Sequence, residues 1–401
     1  MTMAPLRALA LLWLAGVMLR LTILALPPVL APIGAELHLR GIDVGVLTAT
    51  PSLFFALAAL PAAALISRTG AVATLLVGLV LNALGAAARG FAGNVFGLES
   101  ATAVMCLGVA IMQPAMPALV RRWSPARIGL ASAVYTCGLL CGEVLPVLWP
   151  RAHDLPLFGG GWRAALFQWS VPVLATTVVI AALGPRTPRR REPRAPRTSP
   201  EWREGAIWKI GFLLGAVNAG YFSLNGFLPG WLSGAGRSSE IQHALLALNA
   251  AQIPAALLMT VYVERLALSR AAYAVAGAGV LAGCVGLATA PAFAVVFAAA
   301  AGFFLGGLLT MVLALPPLTV PTEKVPTFAA AVFTVSYAVA VAAALVTGLL
   351  QTAGSGESVS MLPIAAAALA VVGIGATIRR PRTVRARSSA SADESRGATP
   401  C

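Results

Sequence analysis

The chain has 401 residues, 59% of them hydrophobic and only 10% charged, with a formal net charge of +14. A soluble domain carries about 25% charged residues, whereas here apolar runs near or above the ~18 residues that suggest a membrane span recur along the whole length. This excludes a soluble protein, and the scatter of the basic residues through the connections between apolar runs argues against a nucleic-acid-binding surface.

In chain order the apolar runs predict twelve transmembrane helices, over 8–31, 43–67, 71–88, 95–119, 127–149, 165–184, 206–232, 240–263, 271–289, 291–316, 325–350 and 359–378. The first has the short basic start of a signal peptide. Its apolar run is too long for a signal core, and eleven spans follow, so it reads as a retained helix. Many of the 28 prolines and 39 glycines fall inside the spans. Membrane helices tolerate them where neighbours satisfy the freed backbone groups, and small residues let helices approach closely. The short alternating segments of a β-barrel are missing.

Twelve spans place both termini on one side. With the N-terminus inside, 22 Lys and Arg fall on the cytoplasmic side, and five fall outside: Arg40, Arg89, Arg151, Arg163 and Arg237. The imbalance predicts an N-in, C-in protein. Arg20 alone is left at membrane depth. Residues 185–205 are basic, Pro-rich and devoid of an apolar face, which predicts a solvated, disordered cytoplasmic linker. It divides the chain into an N-terminal six-helix bundle at 1–184 and a C-terminal one at 206–379. A cytoplasmic disordered tail follows at 380–401. The charge runs in linker and tail read as orientation signals and contacts with anionic lipid head groups.

A short Arg-containing turn, ISRTG, follows the second span, and VERLALS follows the eighth, six spans later. Such parallel six-helix repeats belong to major facilitator transporters. PALVRRWSPARIGLASAVYTCG (117–138), GWRAALFQWSVP (161–172), WKIGFLLGAVNAGYFSLNGFLPGWL (208–232) and NAAQIPAALLMTVYVERL (249–266) resemble the cyanate and 2-nitroimidazole transporter branch of the major facilitator superfamily. Met18-Leu19-Arg20-Leu21 keeps the Leu and Arg of that branch's first-helix run but not its Asn and Pro, and Ser67 stands where the superfamily's usual loop Asp would be. The resemblance implies an all-α polytopic membrane protein with the major facilitator fold, in the bacterial inner membrane. It further implies secondary transport of small polar or anionic solutes, and a monomer is expected.

A charge at bilayer depth costs at least ~2.5 to 3.5 kcal/mol and needs a partner or a wet cavity. Arg20 lies about twelve residues, or ~18 Å, into the first span, near mid-bilayer. Its planar fork suits carboxylates and other oxyanions. It reads either as a substrate anchor or as half of a structural ion pair. Glu143, in the fifth span, differs from it in depth by about four residues, ~6 Å along the axis. Since the resemblance makes the first and fifth helices neighbours, an Arg20–Glu143 pair follows as one geometry. Glu143 is then a proton-coupling group or a fixed counter-charge, and the alternative is a Glu at the outer mouth. On the seventh span Asn218, Tyr221, Phe222 and Asn225 share one helical face. Asn249 and Gln252 on the eighth span, Tyr337 on the eleventh and Gln113 on the fourth complete a candidate cavity of neutral donors and acceptors. For each of these the alternative is interhelical hydrogen bonding, worth ~0.6 kcal/mol on average.

The remaining polar residues carry no chemistry of their own. His38, Asp43, His153 and Asp154 are placed in outer loops, His243 at the start of the eighth span and Glu99 near the outer end of the fourth, without metal-ligand spacing. Gly159–Trp162 has no following Lys, so it is no phosphate cradle. No catalytic constellation, cofactor motif or disulfide framework is present. The expected protein is a secondary transporter working by alternating access, with a proton as possible co-ion. Export of a small toxic compound is the alternative within that class, and a non-transporting receptor on a transporter fold is the alternative outside it.

Overall fold

The computed structural model describes residues 3–149, 161–185, 201–320, 325–353 and 361–378, and these are helical or form short connections. The core of the predicted linker and the predicted tail lie outside the described residues. The helices are α1 (Met3–Met18), α2 (Leu30–Leu37), α3 (Gly41–Thr69), α4 (Ala71–Arg89), α5 (Val95–Trp123), α6 (Ile128–Leu148), α7 (Gly161–Phe167) and α8 (Ser170–Leu183). They continue with α9 (Gly205–Gly234), α10 (Ile241–Ala250), α11 (Gln252–Leu266), α12 (Arg270–Thr289), α13 (Ala294–Leu313), α14 (Leu315–Thr319), α15 (Val325–Thr352) and α16 (Met361–Gly375). Ten described segments are long and apolar enough to cross a bilayer, and they coincide with the second to eleventh predicted spans. Shorter apolar helices, Leu6–Met18 and Met361–Gly375, stand at the first and last. Large apolar side chains such as Leu57, Leu84, Val178, Val261 and Leu369 point away from the protein. Such an outer surface suits hydrocarbon, since each helix satisfies its own backbone.

The helices pack in two sets. In the first, α4 and α3 pack on α5, α8 on α4, and α1 on α6. In the second, α12 packs on α13 and α16, α10 and α11 on α13, and α9 on α13, α15 and α16. The sets meet where α3 lies along α15, where α6 lies on α10, and where α9 touches α2 and α3. Glycines allow the closest approaches. A Cβ at Gly138 or Gly142 would run into the carbonyl of Trp13 or Val17, and these pairs advance in step, so α1 and α6 run parallel with backbones nearly touching. On the α3–α15 seam, a Cβ at Gly45 would come within 2.9 Å of the Ala344 carbonyl, and the Ile42 N–H donates to Thr352 Oγ1 at 2.8 Å.

Three expectations need correction. The first predicted span, 8–31, is not one helix: α1 ends at Met18, residues 19–26 form turns, and a 3₁₀ turn at Pro27–Val29 leads into α2. Pro27 and Pro28 cannot donate to the carbonyls four residues back, and the Pro27 ring crowds the Ile23 carbonyl, so the helix unwinds ahead of them. Second, Arg89 is not an outer-loop residue. It closes α4 with its side chain fully buried, so Arg20 is not the only basic group inside the helix assembly. Asp43, placed in a loop, instead caps the first turn of α3 through Arg40.

At the same end of the assembly, the Trp162 indole and the Arg163 guanidinium of α7 donate to Glu36 of α2, at 2.7 and 2.5 Å. The bonds from Arg163, then Trp162, hold the Glu36 carboxyl below its ordinary value. Arg163 also donates to the Ala92 carbonyl, tying the turn after α4 to the same clasp.

Candidate functional site

The unwound turn after α1 leaves carbonyls that a continuous helix would satisfy. Met18 O would accept from Thr22 N–H and Thr22 O from Leu26 N–H. Side chains of α4 take these places: Asn82 Nδ2 donates to Met18 O at 3.1 Å, and Arg89 Nη2 donates to Thr22 O at 2.8 Å. Asn82 Oδ1 in turn accepts from Thr22 Oγ1 at 2.8 Å. Asn82 and Arg89 are seven residues apart, two turns of one helix face, so α4 braces the break at two points. The sequence signal was that spacing, but Arg89 sits beside Gly90 at the end of the apolar run and reads as a loop residue.

Arg20 lies within the braced break. Its Nε is 3.3 Å from Glu143 Oε1 on α6, the two side chains being 14% and 5% exposed. Its guanidinium lies over the rings of Phe55 on α3 and Phe222 on α9, at 5.6 and 5.9 Å, a cation–π arrangement. Despite the ion pair, Arg20 Nε and Nη1 make no aligned hydrogen bond among the described residues. Glu143 Oε2 accepts from Gln252 Nε2 on α11 at 3.1 Å. The close α1–α6 contact through Gly138 and Gly142 sets the two charges side by side, and Gln252 reaches them because α10 hands over to α11 at Ala251. Pro254, which cannot donate to the Ala250 carbonyl, accounts for that bend.

The neutral residues form two further groups. Tyr221 OH donates to Asn249 Oδ1 at 2.9 Å, Asn249 Nδ2 donates to Asn225 Oδ1 at 2.9 Å, and Asn225 Nδ2 donates to the Tyr221 carbonyl at 3.0 Å. This closes a ring of bonds between α9 and α10. Tyr337 on α15 packs its ring 5.2 Å from Phe55 and 6.0 Å from Phe333, and its hydroxyl accepts from Gln113 Nε2 of α5 at 3.4 Å. Asn218 turns elsewhere: its amide donates to Ser336 Oγ at 2.8 Å. Thus Arg20, Glu143 and Gln252 are in direct contact, with Phe222 linking them to the Tyr221–Asn225–Asn249 ring and Phe55 linking them to Tyr337. Asn218 ties α9 to α15 instead. Phe55 and Asn82 were missed as site candidates: Phe is unremarkable in an apolar span, and Asn82 stood alone in its own.

An ion pair removed from water is stable only with good geometry and satisfied partners, and losing one member costs about 3–5 kcal/mol. Here the carboxylate keeps an amide donor, while the guanidinium keeps unused N–H groups and two aromatic faces. Such a cation can still accept an anion or an electron-rich planar group. Among the described residues no cluster of His, Cys, Asp or Glu suits a metal ion.

Comparisons with known proteins agree with this architecture. The model of the Major Facilitator Superfamily matches residues 12–344. The 2-nitroimidazole transporter of Escherichia coli (strain K12) is 27% identical over 376 residues, 92% of this chain and 94% of that protein. An uncharacterised transporter of Bacillus subtilis (strain 168), YycB, is 28% identical over 273 residues, 67% of each chain. Among solved structures, a bacterial homologue of the human lysosomal transporter Spinster, inward-facing and unoccupied, superposes with a TM-score of 0.73 at 15% identity. That superposition covers 94% of this chain and 95% of the other. The occupied form of that homologue superposes with a TM-score of 0.70. With all-helical architecture and ten long apolar helices among the described residues, and a family match over most of its length, the chain is a multi-pass membrane transporter that belongs to the Major Facilitator Superfamily.

Proposed function

We propose that the protein is a secondary transporter whose cargo, a small anionic or polar solute, binds at Arg20 between a bundle at 1–184 and a bundle at 206–379. The carrying observation is the state of Arg20: held in an unwound turn, half-satisfied by Glu143, with buried donors unspent. Transporter sites are built in this way, near the midplane, at interrupted helices between repeats. Cargo carrying a carboxylate, or an isoelectronic nitro group, would take the free N–H groups of Arg20 and lie between Phe55 and Phe222. Tyr221, Asn225, Asn249, Gln252, Tyr337 and Gln113 would supply neutral contacts, and Asn218 would support α9. The likeness to a 2-nitroimidazole transporter favours small planar compounds as the first to be tried.

An anionic cargo and the Glu143 carboxylate compete for one guanidinium. A proton on Glu143 relieves that competition, which makes Glu143 the coupling group for proton-linked transport. The surplus of cytoplasmic Lys and Arg supports N-in, C-in orientation in the inner membrane; with Arg89 removed from the loops, the outer side retains four. On that orientation the packed α3–α15 seam at Gly41–Gly45 closes the outer side, and the bundles rock about the central site with the 185–205 segment as the connection. A monomer suffices for this cycle. The test begins with a thermal-shift screen of small carboxylates, cyanate and 2-nitroimidazole on purified protein. Proteoliposome uptake of the compound found follows. Loss of uptake in Arg20→Ala, with folding intact, supports the assignment, and normal uptake refutes it.

A further inference from the structure

Arg89 raises a second question. Its side chain is fully buried, and only Nη2 is engaged, on the Thr22 carbonyl. Its Nε and Nη1 are buried without a hydrogen-bond partner among the described residues, and no described carboxylate pairs with it. The C-terminus of α4 and one carbonyl offer only partial negative charge. A buried cation is costly unless a counter-charge compensates it. Arg89 lines a cavity of about 30 Å³, walled also by Pro27, Thr48, Thr102, Phe222 and Asn225. That space exceeds the ~10–15 Å³ one water requires, and it suits a monoatomic anion.

The cavity's position is informative. It shares Phe222 with the aromatic clamp on Arg20. It shares Leu30 and Gly226 with a larger cavity of about 500 Å³ that reaches Gly41 and Gln351 on the α3–α15 seam. It therefore lies between the seam end of the protein and Arg20. Its walls come from both helix sets, because Gly226 of α9 packs directly against Thr48 of α3.

We propose that Arg89 is the centre of a second anion site, for a small monovalent anion of halide size, assembled when α9 closes against α3. The anion neutralises Arg89 and favours that closed arrangement. The occupant is either a free inorganic anion or the anionic group of cargo on its way to Arg20. The inorganic occupant is independent of the Arg20 assignment and the cargo occupant rests on it; with either, anion binding at Arg89 should survive Arg20→Gln.

The test is a melting curve of purified full-length protein while gluconate is replaced by bromide, chloride or formate at constant ionic strength. A saturable rise of about a few degrees is expected in wild type and in Arg20→Gln, where Arg20 no longer contributes; it is lost when Arg89→Gln is added to Arg20→Gln and weakened when Arg89→Lys is added. In Arg20→Gln, a rise with halides assigns an inorganic occupant, and a rise with formate alone assigns the carboxylate of cargo. A flat response of Arg20→Gln to all three anions, or a saturable rise that persists when Arg89→Gln is added to it, overturns the proposal. If Arg89→Gln does not fold, crystals of wild type grown in bromide decide the matter: an anomalous peak beside Arg89 supports the site, and its absence rejects it.

Discussion

At the residue scale, the Arg20–Glu143 pair joins two charges with different duties. Arg20 is expected to be irreplaceable because a lysine keeps the charge but loses the planar fork and its stacking on Phe55 and Phe222. Arg20→Lys should therefore retain only a small fraction of wild-type uptake, on the order of a tenth or less. Glu143→Gln should separate coupling from passage. The amide keeps a bond to Gln252 and frees Arg20 for cargo, so downhill flux in proteoliposomes should persist while an imposed pH gradient no longer drives accumulation. Pumping by Glu143→Gln with an undiminished response to the gradient would assign coupling elsewhere. These residues were legible in the sequence because charges at membrane depth are rare and helix depth counts in residues. Arg89 was not legible: one residue from a Gly at the end of an apolar run, it looked like every other loop arginine. Only the folded chain shows the Thr22 carbonyl drawing it inward.

At the element scale, the site depends on how α1 ends and on what holds its unwound turn. Asn82→Leu removes the amide on Met18 O and the acceptor for Thr22 Oγ1. Leaving such buried groups unpaired costs about 1–3 kcal/mol each, so the variant should melt lower in detergent and bind cargo more weakly, though it touches none of it. Gly142→Val tests the other support. Its side chain would meet the Val17 carbonyl, and overpacking of this kind costs about 1–3 kcal/mol, so α1 and α6 should separate and transport should fall together with stability. The clasp at Glu36 has a pH signature. Its folded-state pKa is lowered, so its contribution is present above the unfolded value of about 4.3 and is lost as pH falls through the lower folded value. An acid melt of Glu36→Gln should lack this component. The existence and order of the helices were readable from apolar periodicity. The interruptions at 19–26 and at Ala251 were not, because a proline in a membrane span does not announce whether the helix bends, breaks or stays straight.

At the scale of the whole molecule, the two helix sets meet at the α3–α15 seam and around Arg20, Glu143 and Gln252. If the protein works by opening and closing that seam, a disulfide between Ile42→Cys and Thr352→Cys, in a background without the native cysteines, should arrest transport. Reduction should then restore it. Full transport by the cross-linked protein would show that the seam does not open. The family was legible from long stretches such as 208–232, whereas the closing of the seam was not, since glycines occur throughout the spans and only packing distinguishes those that touch across the two sets.

The measurement that bears most directly on the central claim is binding of the screened solute to wild type and to Arg20→Ala, each shown by melting and gel filtration to be folded. If Arg20 holds the cargo, the solute stabilises wild type saturably, in competition with small carboxylates, and does not stabilise Arg20→Ala. Equal stabilisation of both proteins would contradict that role and return Arg20 to a purely structural ion pair.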